Sequence, residues 1–284
     1  MRIRIQFRLV AVILALTAAG LAASAIQVGL TDAAERAGWE EFLRTARIVD
    51  SKQMGGPEAV TNPWKLTLSK GDVTRFGLWK NIDLDLEQGG PDRWRFEIAA
   101  YRLDVLLGLG MVPPTVERAF QGQWGSLQLW IEDTESLKNR LARGGDVPRD
   151  QNEAWNRKAY LERAFDSLIA NDDRNVNNIL IGADTRMILI DHSRTFRTAE
   201  PFDKTLVFGA SGLQRTKDGT AYLFVPLTRA FVDKIRALDA KSVKDAVKGR
   251  LTGREIQVLL ARRDLVLKEI EGLIRERGEA AVLY

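Results

Sequence analysis

The sequence predicts an α+β fold in two lobes. Strand-like segments crowd into residues 64–132, and helical periodicity dominates 133–284, broken by one short hairpin. The 284 residues are 45% hydrophobic and 28% charged, which is globular composition with enough apolar material for a sizeable core. An apolar segment, read as a helix, precedes both lobes.

That segment occupies residues 1–25. Arg2, Arg4 and Arg8 form a positive head without acidic residues, and an apolar run follows from Leu9 to Ala25. It ends in Ala23-Ser24-Ala25, a small-x-small pattern suited to signal peptidase. The run also continues through Ile26 to Leu30, interrupted only by Gln27, which gives it the length of a membrane anchor. Signal peptide and anchor both place the rest of the chain outside, either periplasmic or secreted, or tethered to the inner membrane. Without the three arginines the net charge drops from +4 to +1, so the basic balance is no argument for a nucleic-acid partner. There is no cysteine, which excludes disulfides, thiolate metal sites and a cysteine nucleophile.

Residues 26–63 read as a helix and linker. Ala34, Trp39, Phe42, Leu43 and Ala46 recur at helical spacing across 31–50, and Gly55-Gly56-Pro57 with Asn62-Pro63 break the pattern. Trp64–Leu68 and Thr74–Trp79 alternate as strands around the turn Ser69-Lys70-Gly71-Asp72. Lys80 ends the second strand on the face of Phe76 and Leu78. Gly89-Gly90-Pro91-Asp92 reads as a loop whose proline opens a helix. That helix carries Trp94, Ile98, Tyr101 and Val105 on one face and stops at Gly108–Gly110. Val116–Ala119 and Leu127–Ile131 are strands. Helices follow over 153–170, 227–237 and 252–277. The last has a core face of Leu259, Leu260, Leu265, Val266, Ile270 and Ile274. Ile179–Ile181 and Met187–Ile190 form the one small hairpin.

Chemistry concentrates around that hairpin. Phosphoryl transfer needs a carboxylate for the attacking hydroxyl, and a second carboxylate with an amide oxygen for Mg²⁺. It also needs a lysine for the phosphates and a glutamate to fix the lysine. Asp173 and Asn178 stand five positions apart, as do Asp172 and Asn177. Asn178 runs directly into Ile179-Leu180-Ile181, and the return strand ends at Asp191, which selects the Asp173–Asn178 register. Lys80 is the candidate lysine, with Lys65 and Lys70 as competitors, and Glu97 lies on the first helix after it. Arg194 and Arg197 follow Asp191 and suit either an acidic substrate or solvent. Other motifs are missing: Walker-type Gly-x-x-x-x-Gly-Lys-Ser/Thr, Gly-x-Gly-x-x-Gly, His-Glu-x-x-His and Gly-x-Ser-x-Gly. His192, the single histidine, cannot make a histidine-rich metal site.

The stretch Asp173-Arg174-Asn175-Val176-Asn177-Asn178-Ile179-Leu180, with Ile190-Asp191-His192-Ser193, resembles the catalytic and metal loops of atypical kinases. Phosphoinositide kinases carry an Asp-Arg-His-x-x-Asn form, and HipA-type bacterial kinases are similar in style. Glu97–Asp104, Val112–Val116 and Gly125–Trp130 resemble secretory-pathway kinases of the Golgi casein kinase and four-jointed type. The resemblance spans roughly residues 64–275 and implies a protein-kinase-like fold, with a β-rich N-lobe and a mainly helical C-lobe. It also implies ATP with Mg²⁺ or Mn²⁺ as cofactors. Lys80 would contact phosphates and Glu97 would pair with it, while the backbone of Leu129, Trp130, Ile131 and Glu132 would meet adenine. Asp173 would be the base, and Asn178 and Asp191 the metal ligands. The implied activity is an ATP-dependent phosphotransferase acting on a hydroxyl of a protein, glycan or lipid. The alternatives are a nucleotide-binding pseudokinase or scaffold and a nucleotidyl transferase on the same fold. Asn175 stands where phosphoinositide kinases have histidine, His192-Ser193 replaces Phe-Gly, and the phosphate loop offers Gly71 without a glycine repeat.

Overall fold

The computed structural model describes residues 30–55, 62–86, 90–145, 152–182 and 184–284. The signal or anchor segment 1–25 lies outside the described residues. Among those described, no helix is long and apolar enough to cross a membrane.

The first lobe is a five-stranded antiparallel sheet backed by a helix. Helix α1 (Ala33–Thr45) starts where the Asp32 side chain accepts from the Glu35 amide at 2.7 Å. Strands β1 (Arg47–Gln53), β2 (Trp64–Lys70) and β3 (Val73–Lys80) follow. The sheet order is β1-β2-β3-β7-β6, with β6 spanning Thr115–Phe120 and β7 spanning Gln123–Leu129. Phe42 and Leu43 of α1 pack on Leu66, Leu68, Trp79, Val116 and Leu127, which closes the outer face of the sheet. The alternation that buries Gly77 and Trp79 turns Phe76, Leu78 and Lys80 to the opposite face.

Two segments of the first lobe differ from the sequence expectation. The helix expected over 31–50 ends at Thr45, and Arg47–Gln53 instead pairs antiparallel with β2. Local periodicity carries no trace of this, because an edge strand is specified by its neighbour. Gly90–Arg93, expected in a loop that opens a helix at Pro91, forms β5 and pairs with β4 (Asp83–Leu86). Arg93 reaches Asp83 and Asp85 across this hairpin.

Helix α2 (Trp94–Leu107) begins only after β5. Glu97 lies in its first turn, where a carboxylate complements the helix dipole. The helix ends at Gly108 in a left-handed conformation (φ 67°), a position that favours glycine. Phe96, Ala100, Tyr101 and Leu103 of α2 join the core of the second lobe, so α2 is built into both lobes.

The second lobe holds β8 (Thr134–Ser136), α3 (Leu137–Ala142), α4 (Asn152–Ile169), β9 (Ile179–Gly182) and β10 (Met187–Leu189). Strands β10-β9-β8 make a small sheet. Helices α5 (Arg229–Arg236), α6 (Ala240–Val247) and α7 (Gly253–Arg277) complete the lobe. Helix α6 was not anticipated; it buries only Val243 and Val247, too few for a readable period. Both α6 and α7 open with a capping box, from Asp239 and Thr252. Arg262 of α7 is 1% exposed and donates to the carbonyls of Ser167 and Thr205, pinning α7 to α4 and to the loop after β10.

Candidate functional site

The site forms where the inner face of the sheet meets α2 and the β9–β10 hairpin. Lys80 ends β3 on that inner face. Gly125 of β7 sits against the Lys80 carbonyl, and a side chain there would strike it and the Trp79 ring. The Lys80 ammonium donates to Glu97 Oε1 at 2.7 Å and to Asp191 Oδ1 at 2.7 Å. Burial works against charge on Lys80, but Asp191 and Glu97 outweigh it and hold its pKa well above the ordinary lysine value. Burial likewise opposes the Glu97 carboxylate, and the Lys80 charge overcomes it, holding Glu97 far below the usual carboxylate range. The second Glu97 oxygen accepts the His192 backbone N–H at 2.9 Å. Lys80, Glu97 and Asp191, all singled out in the sequence, therefore meet.

Of the competing lysines, Lys70 lies on the β2–β3 turn and donates to Thr45 Oγ1 at 2.7 Å. That turn holds Gly71. Lys70 pairs with Val73, and seven residue steps along the strand, about 23 Å, separate Val73 from Lys80. Gly71 therefore belongs to the far end of the sheet, and the expectation of a phosphate loop there is corrected. The ends of the β1–β2 connection, joined by Met54 N–H donating to Pro63 O at 2.7 Å, lie at the Lys80 end. Lys65 lies opposite Leu78 on the inner face, with its ammonium 4.0 Å from the Phe76 ring centre and 4.3 Å from that of Trp130.

The loop from Asn171 to Asn178 is organised by Arg174. This side chain is 4% exposed and pairs with the fully buried Asp166 of α4 through Nε at 2.8 Å; Nη2 reaches the other Asp166 oxygen at 3.0 Å. Its Nη1 donates to the carbonyls of Asn178 at 3.0 Å and Ile190 at 2.7 Å. It thus ties together the residue entering the hairpin and the one leaving it. Nη2 also lies 2.9 Å from His192 Nε2. Because guanidinium can only donate, Nε2 is the acceptor and the imidazole proton sits on Nδ1. Asp166 is held below its usual range by Arg174 against the effect of burial. Glu162 beside it is pushed well above the carboxylate range, by burial first and then by the Asp166 charge.

The opposite side of the loop is open. Asp173 is 36% exposed in its side chain, and its carboxylate lies 3.5 Å from Arg194 Nη1. Asn178 Nδ2 makes a long contact of 3.4 Å with the Asp173 carbonyl. Asp191 has a side chain 41% exposed and a positive φ of 61°, uncommon for a non-glycine residue. The alternative pair behaves differently: Asp172 is bound by Arg197 at 2.9 Å, and Asn177 is exposed. Neither Arg194 nor Arg197 is simply solvated.

Of the backbone expected to meet adenine, Leu129 N–H donates to Pro114 O at 2.8 Å, and Trp130 N–H donates to Phe76 O at 3.0 Å. Ile131 and Glu132 follow, with Ile131 buried and Glu132 facing Arg75 at 3.8 Å. Any amide donor for a base therefore comes from Ile131 or Glu132.

The donor set fits a hard cation of the Mg²⁺ kind. Asp191 and Asn178 offer oxygen ligands, and one or two protein oxygens suit a metal that takes the rest from phosphate and water. Among the described residues, no cluster of three or more histidine, aspartate or glutamate side chains forms a self-sufficient metal site.

Sequence reasoning missed Asp166 and Asp92. Asp92 is 3% exposed and sits beside Arg194 Nε at 3.9 Å. Burial pushes its carboxyl up; a Ser193 hydrogen bond opposes this and the Asp191 charge adds to it. An acid lying outside the motif, brought in by tertiary packing, leaves no spacing signal. Asp166 had one: the pair Asp166 and Arg174 in a stretch otherwise read for Asp173.

No family model matches the chain, and no curated protein matches it. The crystal structure of a proinflammatory kinase, CtkA, from Helicobacter pylori is similar, with a TM-score of 0.52 at 13% identity. The match covers 85% of this chain and 98% of that one. At this identity the likeness speaks for the fold: the chain has a kinase-like α+β fold, in which Lys80 ends β3, Glu97 lies on α2, Asp173 and Asn178 lie in the loop before β9, and Asp191 follows β10.

Proposed function

We propose that the chain is an ATP- and Mg²⁺-dependent phosphotransferase that moves the γ-phosphate to a hydroxyl of a protein, glycan or lipid. The observation that carries this reading is Lys80 at 2.7 Å from both Glu97 and Asp191. Asn178, reached through the β9–β10 hairpin, stands beside Asp191's end of that hairpin. Lys80 neutralises the nonreacting phosphates, oriented by Glu97. Asp173 accepts the proton of the attacking hydroxyl, and its exposure leaves room for an acceptor. Asn178 and Asp191 would hold the metal, which supplies charge neutralisation on the phosphates. Ile131 and Glu132 offer the base its backbone contacts. The site faces the exterior of the cytoplasmic membrane, on the evidence of Arg2, Arg4, Arg8 and the apolar run.

A second reading, a nucleotide-binding scaffold without turnover, draws on Arg194 lying against Asp173 at 3.5 Å. One experiment separates these. Purified full chain is incubated with Mg²⁺ or Mn²⁺ and ATP labelled at the α- or γ-position. Transfer of γ-label alone supports the phosphotransferase. Transfer of α-label turns the reading into nucleotidyl transfer. Thermal stabilisation by nucleotide with neither transfer nor ATP loss favours the scaffold.

A further inference from the structure

We propose that the His192 ring is a positioning element that makes the Lys80–Glu97 pair depend on the catalytic loop. It rests on the reading of that pair as the phosphate cradle. His192 is fully buried and stands directly after Asp191. Its Nε2 takes the Arg174 hydrogen bond at 2.9 Å. Arg174 is itself immobilised by both Asp166 oxygens and by the carbonyls of Asn178 and Ile190. The ring is therefore set from the α4 side. Its other nitrogen, Nδ1, faces Glu97 Oε2 at 3.8 Å, and among the described residues it has no partner within hydrogen-bond distance.

A buried N–H without a partner calls for an explanation. The gap to Glu97 is about 1 Å longer than a hydrogen bond. Glu97 is held toward Lys80 through Oε1, and Lys80 is drawn toward Asp191. When the Lys80 ammonium turns from Asp191 to phosphates, Glu97 follows and closes on Nδ1. The ring then reports the state of Lys80 to Arg174, and through it to Asn178 and Asp173. An apolar residue at this position would fill the space and transmit nothing.

The His192 backbone N–H bond to Glu97 does not depend on the side chain in the Leu and Gln variants, so these test the ring alone. The readout is amide hydrogen exchange of the ligand-free full chain, well below its unfolding temperature. In His192→Leu, exchange rises about ten-fold in the first turns of α2 and in residues 171–178, while α7 stays protected; the scale is that of a lost orienting partner. His192→Gln, whose amide oxygen can accept from Arg174, restores protection of 171–178. Unchanged exchange in α2 overturns the proposal, and so does a uniform rise that includes α7. With nucleotide, His192→Leu raises the Mg·ATP Kd about ten-fold. In a Glu97→Ala background it adds little, because the ring acts through Glu97; full additivity overturns the proposal. If the wild-type chain binds no Mg·ATP, the phosphotransferase reading fails, and the exchange result alone decides the role of His192.

Discussion

The two sides of the Asp173–Asn178 loop are built differently. On the inner side, Arg174, Asp166, His192, Glu97 and Lys80 form a buried chain with hydrogen bonds of 2.7 to 3.0 Å. On the outer side, Asp173, Asn178 and Arg194 meet at 3.4–3.5 Å, and Asp173 and Asp191 stay more than a third exposed. A satisfied buried network rigidifies what it contains. Asp173, the group proposed to meet the acceptor, is left free of such bonds, while Lys80 and Asp191 hold each other at 2.7 Å where the two sides join. The contrast assigns holding to the Arg174 side and proton transfer to the Asp173 side.

Substitutions can break that contrast, beginning with the largest effect. Asp173→Asn is expected to lower phosphotransfer by roughly 10²–10⁴-fold, with the unfolding midpoint nearly unmoved. Turnover rates and a urea melt on the same sample check it; equal turnover removes Asp173 as base. Arg174→Met does the reverse. It strands the buried Asp166 carboxylate and should cost about 3–5 kcal/mol of stability, read from urea unfolding. A stable Arg174→Met chain would mean the inner side holds nothing.

Lys80→Met adds a pH signature. The Glu97 pKa is depressed in the folded chain, chiefly by Lys80 acting against burial. The stability this ionised form contributes is complete above about pH 4.5 and disappears as pH falls toward the folded value. The Lys80→Met deficit, about 3 kcal/mol at pH 7, should therefore narrow below pH 4.5. Melts at pH 7, 5 and 3 test this, and a deficit constant with pH contradicts it. The smallest effect belongs to Arg194→Gln: a long, partly exposed contact should change stability by under about 0.5 kcal/mol.

Much of the fold was legible because it is local. The alternation of Trp64–Leu68 and Thr74–Trp79 and the apolar face of 252–277 each carry their own period. The β9–β10 hairpin was legible for the same reason, and it led to Asp191. What stayed hidden depends on partners distant in sequence. Strand β1 exists because β2 pairs with it, and β5 because β4 does. Gly71 looked like a phosphate loop until the register set it at the wrong end of β3. His192, from the sequence, said only that no histidine-rich metal site can form. Only the packing of α4 and α2 around it gives its two nitrogens separate partners to face.

The most direct test of the central claim is calorimetric titration of the full chain with Mg·ATP beside Lys80→Met. The account predicts saturable binding by the wild-type chain and at least a roughly ten-fold weaker Kd for the variant, a loss of about 1.4 kcal/mol. Equal affinity in the two chains, or no binding by either, would contradict it.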